Sequence, residues 1–189
     1  KAKLLEHCPD IYKLKFAHRE VWDIDANWKT TIDNFSECYH CAPSHPGFVD
    51  LVDMPNYTVT THDIWNVHVT PVPVNENAPL KVEVGEGKRL EYVAIFLWPN
   101  MTMWIMPGAG NIGLLYMNPT GPETTREHMD FYFLDKEPTP EEWESIVYLR
   151  DVLQPEDIDL CVKVQKGLRS RSYNVGRLLV DHKRSGISE

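Results

Sequence analysis

The chain has 189 residues, 42% hydrophobic and 25% charged, with a net charge of −9, which suits one domain with a sizeable core and argues against nucleic acid, which calls for a basic patch. No apolar run approaches the roughly 18 to 20 residues of a membrane span, and the first sixteen residues hold no uninterrupted apolar stretch that would read as an export signal. Cys8, Cys38, Cys41 and Cys161 are too few for a disulfide scaffold and, without an export signal, read as reduced thiols of a cytoplasmic protein.

The first 25 residues carry short apolar runs broken by charges and read as loop and strand. Over 27–41 the pattern turns helical, with Trp28, Ile32, Phe35 and Tyr39 on one stripe, and Pro43 and Pro46 close that helix. Residues 48–52 add at most one further turn. The stretch 53–88, with Pro55, Pro71, Pro73, Pro79, Gly85 and Gly87, is loop-rich, with strands expected at 57–61 and 64–70. Four strand blocks follow at 90–98, 101–106, 111–118 and 125–134, separated by Pro- and Gly-containing turns, as in an antiparallel meander. Thr139 as N-cap, Pro140 at the first position and Glu141 and Glu142 behind it open a helix to about 153. A second helix runs from Pro155 to about 169, after which the chain turns loop-like through the polar run 181–188. Lys1 in place of an initiator Met, together with that polar end, reads as a piece of a longer protein. Helix, meander and paired helices predict an α+β domain spanning 1–189, with helices on one face of an antiparallel sheet.

The chemistry concentrates in NWKTTIDNFSECYHCAPSHPGF, residues 27–48. On a helical projection Asp33, Asn34, Glu37, His40 and Cys41 gather opposite the apolar stripe. Such a face can simply meet water. Yet all five are potential ligands or proton handlers with no Lys or Arg among them, and Pro43 bends the chain so that His45 can reach the point where His40 arrives. Two imidazoles suit Fe, Zn, Cu or Ni, and one carboxylate would complete the facial triad of non-haem Fe(II) oxygenases. Asp157 is the candidate, because the stripe of Ile158, Leu160, Cys161, Val164 and Leu168 places it inward while Glu156 and Asp159 point away. An acid in a first turn also complements the helix dipole, worth about 0.3 to 1 kcal/mol, but that does not account for an acid on an apolar side. Zinc is the competing reading, although its structural sites join two ligand pairs across a loop and here the donors crowd into one segment. Cys38-x-His40 matches half of a Rieske cluster site, but no Cys-x-x-His follows anywhere in the 189 residues.

Asn27-Trp28-Lys29, Asp33-Asn34, Glu37-x-Tyr39-His40 and His45-Pro46, with Glu156-Asp157, Cys161, Gln165-x-Gly167-Leu168 and Ser170 downstream, resemble the catalytic domain of Rieske non-haem iron oxygenase α-subunits, the ring-hydroxylating dioxygenase superfamily. The resemblance covers nearly the whole chain. It implies a helix-grip fold, a mononuclear Fe(II) held by His40, His45 and Asp157, and catalytic roles for Glu37 and Asn34. It further implies a homotrimer and electrons from a Rieske [2Fe–2S] cluster, fed from NAD(P)H by a reductase or ferredoxin component. The cluster domain has no counterpart in this chain. Glu37 stands where ring dioxygenases usually carry Asp, and with ECYHC and HPGFVDLVDM it resembles the carnitine, choline and betaine monooxygenases and demethylases more closely. The implied reaction is therefore O2-dependent hydroxylation or N-demethylation of a small quaternary ammonium compound. Phe96, Trp98, Trp104 and Tyr116 are the candidate pocket walls, with cation–π contacts of about 0.5 to 2 kcal/mol each; core packing is their other reading. The alternatives are an aromatic-ring dihydroxylating α-subunit of aromatic hydrocarbon catabolism, a zinc hydrolase, and a helix-grip module that binds a ligand without catalysis.

Overall fold

The computed structural model describes residues 1–73, 79–82, 85, 88–170 and 172–176; the polar run 181–188 and Gly87 lie outside them. Seven strands among these residues form one antiparallel sheet: β1 Lys15–Ile24, β2 Thr58–Thr61, β3 Trp65–Pro71, β4 Glu91–Leu97, β5 Met101–Ile105, β6 Asn111–Gly121 and β7 Thr124–Phe133. The spatial order is β1-β7-β6-β5-β4-β3-β2. The meander from β2 to β7 is therefore closed by the N-terminal strand, which pairs with β7 from Lys15↔Phe133 to Ile24↔Thr125. Residues 1–25, read only as loop and strand, in fact supply a short helix α1, Ala2–His7, and a ten-residue edge strand.

Strand parity decides what each face does. On one face Val67, Val93, Ile95, Met103, Ile105 and Ile112 form a core closed by Cys8 and, at its margin, Leu4, Ile11 and Leu14. On the other, Phe96, Leu115, Met117, Met129, Phe131 and Phe133 pack with Ile32, Ile146 and Leu149. That second face carries the helices: α2 Trp28–Ser36, α3 Cys41–Ser44, α4 Pro46–Leu51, α5 Pro140–Tyr148 and α6 Gln154–Leu168. The α+β reading with the main helices on one face holds; α1 alone lies across the sheet.

Two helices depart from expectation. The helix expected at 27–41 stops at Ser36, and Glu37 is already extended at φ −136°, ψ 154°. The Glu37 carboxylate accepts the Tyr39 N–H at 2.5 Å, a side-chain bond that competes with continued helix. Tyr39, assigned to the buried stripe, is 56% exposed. Farther on, α5 and α6 are not separated by a loop. Thr139 and Glu142 form a reciprocal capping box, and the helical path continues through a π turn, Leu149–Leu153, into α6. The π turn shifts the helical phase, so α6 buries Gln154, Cys161 and Gln165, whereas Val164 and Leu168 of the expected stripe are exposed.

Candidate metal centre

The tight turn after α2 and the π turn before α6 bring two histidines against one carboxylate. Nε2 of His45 lies 3.2 Å from Oδ2 of Asp157, and Nε2 of His40 lies 3.7 Å from Oδ1. Asn34 of α2 donates its amide to Asp157 Oδ1 at 2.7 Å. The outward nitrogen of each ring meets a separate acid: Nδ1 of His40 is 2.8 Å from Glu37 Oε1, and Nδ1 of His45 contacts Glu156 Oε2. Such carboxylates fix ring rotation and tautomer, so that both Nε2 atoms aim at the same place.

Asp157, Asn34, Glu37, His40 and His45 are thus gathered at one point, but the helical projection that put Asn34, Glu37 and His40 on one face assumed a helix that in fact ends at Ser36. Only Asn34 sits on α2; Glu37 and His40 meet through the turn. Cys38 and Cys41 frame that turn and are joined as a disulfide with Cα atoms 5.1 Å apart, inside the usual bridging range. The expectation of four reduced thiols therefore fails for this pair, while Cys8 and Cys161 are free and buried. Glu156 does not point away. It turns back across α4, accepting the Gly47 N–H at 3.1 Å besides its contact with His45, because Gly47 lets the start of α4 lie against the π turn. Asp159 does point away, paired with Lys163.

Electrostatics follow the geometry. Burial alone would depress the His40 imidazolium, but its hydrogen bonds to Asp157 and Glu37 outweigh it and push the group up to about 9. For His45, burial is likewise outweighed by Asp157 and Glu156, and its pKa rises. Burial would raise Asp157, yet His40, His45 and Asn34 hold it well below the ordinary carboxylate range. Protons and a divalent cation compete for the same Nε2 positions. The donor set, two imidazoles and one carboxylate, suits a first-row transition metal. Among the described residues no group of three His, Cys, Asp or Glu side chains is arranged to hold a metal ion as it stands.

A cavity opens beside Asp157, with aromatic walls from Phe35, Phe48, Tyr57 and Trp104. Of the four walls expected, Trp104 alone borders it. Tyr116 alternates with Leu115 and Met117 and so points through the opposite sheet face, stacked on His128 at 4.9 Å. Trp98, past the end of β4, is exposed and packs against Trp28. Phe96 is buried behind Phe35, ring centroids 6.4 Å apart. Tyr57 and Glu127 were not singled out in the sequence. Tyr57 shares a hydrogen bond of 2.6 Å with Nδ1 of His68, a ring that burial holds down near 3 and hence neutral.

The family model described as ring hydroxylating alpha subunit (catalytic domain) matches residues 11–185, and this chain belongs to that family. Within it, the carnitine monooxygenase oxygenase subunit of Escherichia coli K12 is 41% identical over 189 residues, covering 100% of this chain and 50% of that protein. The chloroplastic choline monooxygenase of Spinacia oleracea is 26% identical over 174 residues, 88% of this chain and 37% of that one. A solved quaternary ammonium Rieske monooxygenase superposes with a TM-score of 0.84 at 37% identity, over 99% of this chain and 50% of that one. The chain spans about half the length of the carnitine monooxygenase subunits it matches.

Proposed function

We propose that this chain is the mononuclear iron domain of a Rieske-type monooxygenase acting on a small quaternary ammonium compound. The observation that carries the reading is the convergence of two imidazole Nε2 atoms on Asp157 while Glu37 and Glu156 hold the opposite ring nitrogens. His40, His45 and Asp157 would hold Fe(II), whose chemistry when bound is the activation of O2 beside substrate. The chain's own residues have distinct tasks around it. Asn34 orients the Asp157 carboxylate, Glu37 and Glu156 set the histidine tautomers, and Phe35, Phe48 and Trp104 exclude water from the cavity.

The same reading assigns the electrons to a [2Fe–2S] cluster in the rest of the protein, supplied through a reductase or ferredoxin component from cytoplasmic NAD(P)H. Glu37 lies between His40 and the surface, its side chain one-third exposed, which suits a path from a neighbouring subunit of a homotrimer. Oxidation of carnitine or choline fits the names of the relatives better than aromatic-ring dihydroxylation does, and the aromatic cavity suits a methylated cation. Among the described residues no helix is long and apolar enough to cross a membrane.

Iron analysis of purified variants tests the assignment. Asp157→Ala is expected to lose most of its iron and Asp159→Ala to keep it. Equal retention in both would remove Asp157 from the ligand set.

A further inference from the structure

The cavity holds one acid that the metal centre does not use. Glu127, on the inward face of β7 opposite Met117 and Trp22, is 2% exposed. Its Oε2 accepts the Gln154 amide at 2.5 Å, and Thr31 approaches as a second neutral partner. The other acids of the cavity wall are matched: Glu37 faces His40, and Asp157 faces both histidines. No Lys or Arg lines the cavity, and among the described residues no ion pair reaches Glu127.

A buried carboxylate with only an amide and a hydroxyl for company is costly as an anion. Burial, and then the charge of Asp157, push it up to about 8. A cation entering the cavity would supply the missing counter-charge. A trimethylammonium group has no N–H to donate, so recognition must come from charge at close range and from ring faces. Glu127 with Phe35, Tyr57 and Trp104 offers both in one enclosure.

We propose that Glu127 is the specificity-determining counter-charge for a cationic substrate head group, selecting the cation over an uncharged molecule of the same shape. The inference rests on the quaternary ammonium reading above. A purely structural role, tying β7 to the start of α6 through Gln154, would change the affinity of every ligand alike.

Calorimetric titration of the full-length protein, with iron content measured for each variant, separates these roles. The probes are L-carnitine and its carbon isostere 3-hydroxy-5,5-dimethylhexanoate, which replaces the ammonium nitrogen by carbon. Glu127→Gln is expected to weaken carnitine by about tenfold or more while leaving the isostere within about twofold, as loss of one desolvated charge contact predicts. Glu127→Asp, which keeps the charge, is expected to retain a preference for carnitine. Equal weakening of both ligands by Glu127→Gln would overturn the proposal in favour of the structural role. A parent protein that prefers carnitine, with an unchanged preference in Glu127→Gln, would overturn it while leaving the substrate reading intact. A parent without any preference would remove the substrate reading and this inference together.

Discussion

His40 and His45 are held by the same kind of contact but in different surroundings. The Glu37 side chain is one-third exposed, while His45 is buried under α4 and tied to Glu156. Removing an acid that orients a ligating imidazole typically lowers metal affinity by about 10- to 100-fold, so Glu156→Ala is expected to fall in that range by metal-competition titration. Glu37→Gln keeps an oxygen that can accept the His40 N–H. It is expected to retain most iron, whereas reoxidation of a reduced cluster in the full-length protein becomes far slower in stopped-flow absorbance. Loss of iron as complete as in His40→Ala would make Glu37 a ligand instead. Glu127 adds a pH dependence. Its carboxyl rises from the ordinary 4.5 to about 8, so the folded state holds a proton that the unfolded state releases. That contribution to stability is complete below pH 4.5 and is lost as pH rises through 8. Glu127→Gln lacks the loss, and the ligand-free variant should melt above its parent by a margin that grows from pH 5 to 9. A margin independent of pH in thermal melts would contradict this.

At the scale of elements, the π turn between α5 and α6 and the short α4 act as one device. Five residues of π helix rephase α6 so that Gln154, Asp157, Cys161 and Gln165 face the sheet and α2, and the Tyr148 hydroxyl donates to the Gly47 carbonyl at 2.9 Å. A Cβ on Gly47 would meet Val152 Cγ1 at 2.6 Å and both Glu156 carboxylate oxygens at 3.2 Å. Gly47→Ala must therefore lift α4 from the π turn and disturb the acid that orients His45. It is expected to cost about 1 to 3 kcal/mol, as overpacking does, and to lower iron content in proportion. Urea unfolding with parallel iron analysis would show the two losses together; a stability loss with unchanged iron would separate α4 from the metal centre.

For the whole molecule, the 189 residues carry the proposed iron ligands His40, His45 and Asp157 but no Cys-x-His and Cys-x-x-His pair for a cluster. The matched carnitine monooxygenase subunit is about twice as long. Given substrate, O2, NADH and a reductase, the isolated chain is expected to yield no product beyond background, whereas the full-length protein turns over. Multiple turnovers by the chain alone, measured by product mass spectrometry, would show that electrons arrive without a cluster. The Cys38–Cys41 disulfide covalently closes the turn that carries His40.

The sequence alone determined what local chemistry can determine. Turn residues and alternating apolar positions defined the meander, Thr139-Pro140 and its following acids opened α5, and the rarity of clustered ligand types without basic neighbours singled out His40 and His45. Asp157 was legible as an acid one turn before the buried Cys161, although Val164 and Leu168 of the expected stripe are exposed. Only the tertiary structure decided the rest, because each remaining feature depends on residues far apart in the chain. The helix after Asn27 ends early through side-chain bonds made by Glu37, and α6 takes its phase from a π turn that no periodicity announces. Glu156 turns inward because Gly47, 109 positions away, leaves it room. Tyr116 leaves the pocket because a strand's two faces look alike until one is covered, Trp98 leaves it because β4 ends at Leu97, and Glu127 becomes a cavity wall only when α2 and α6 close over β7.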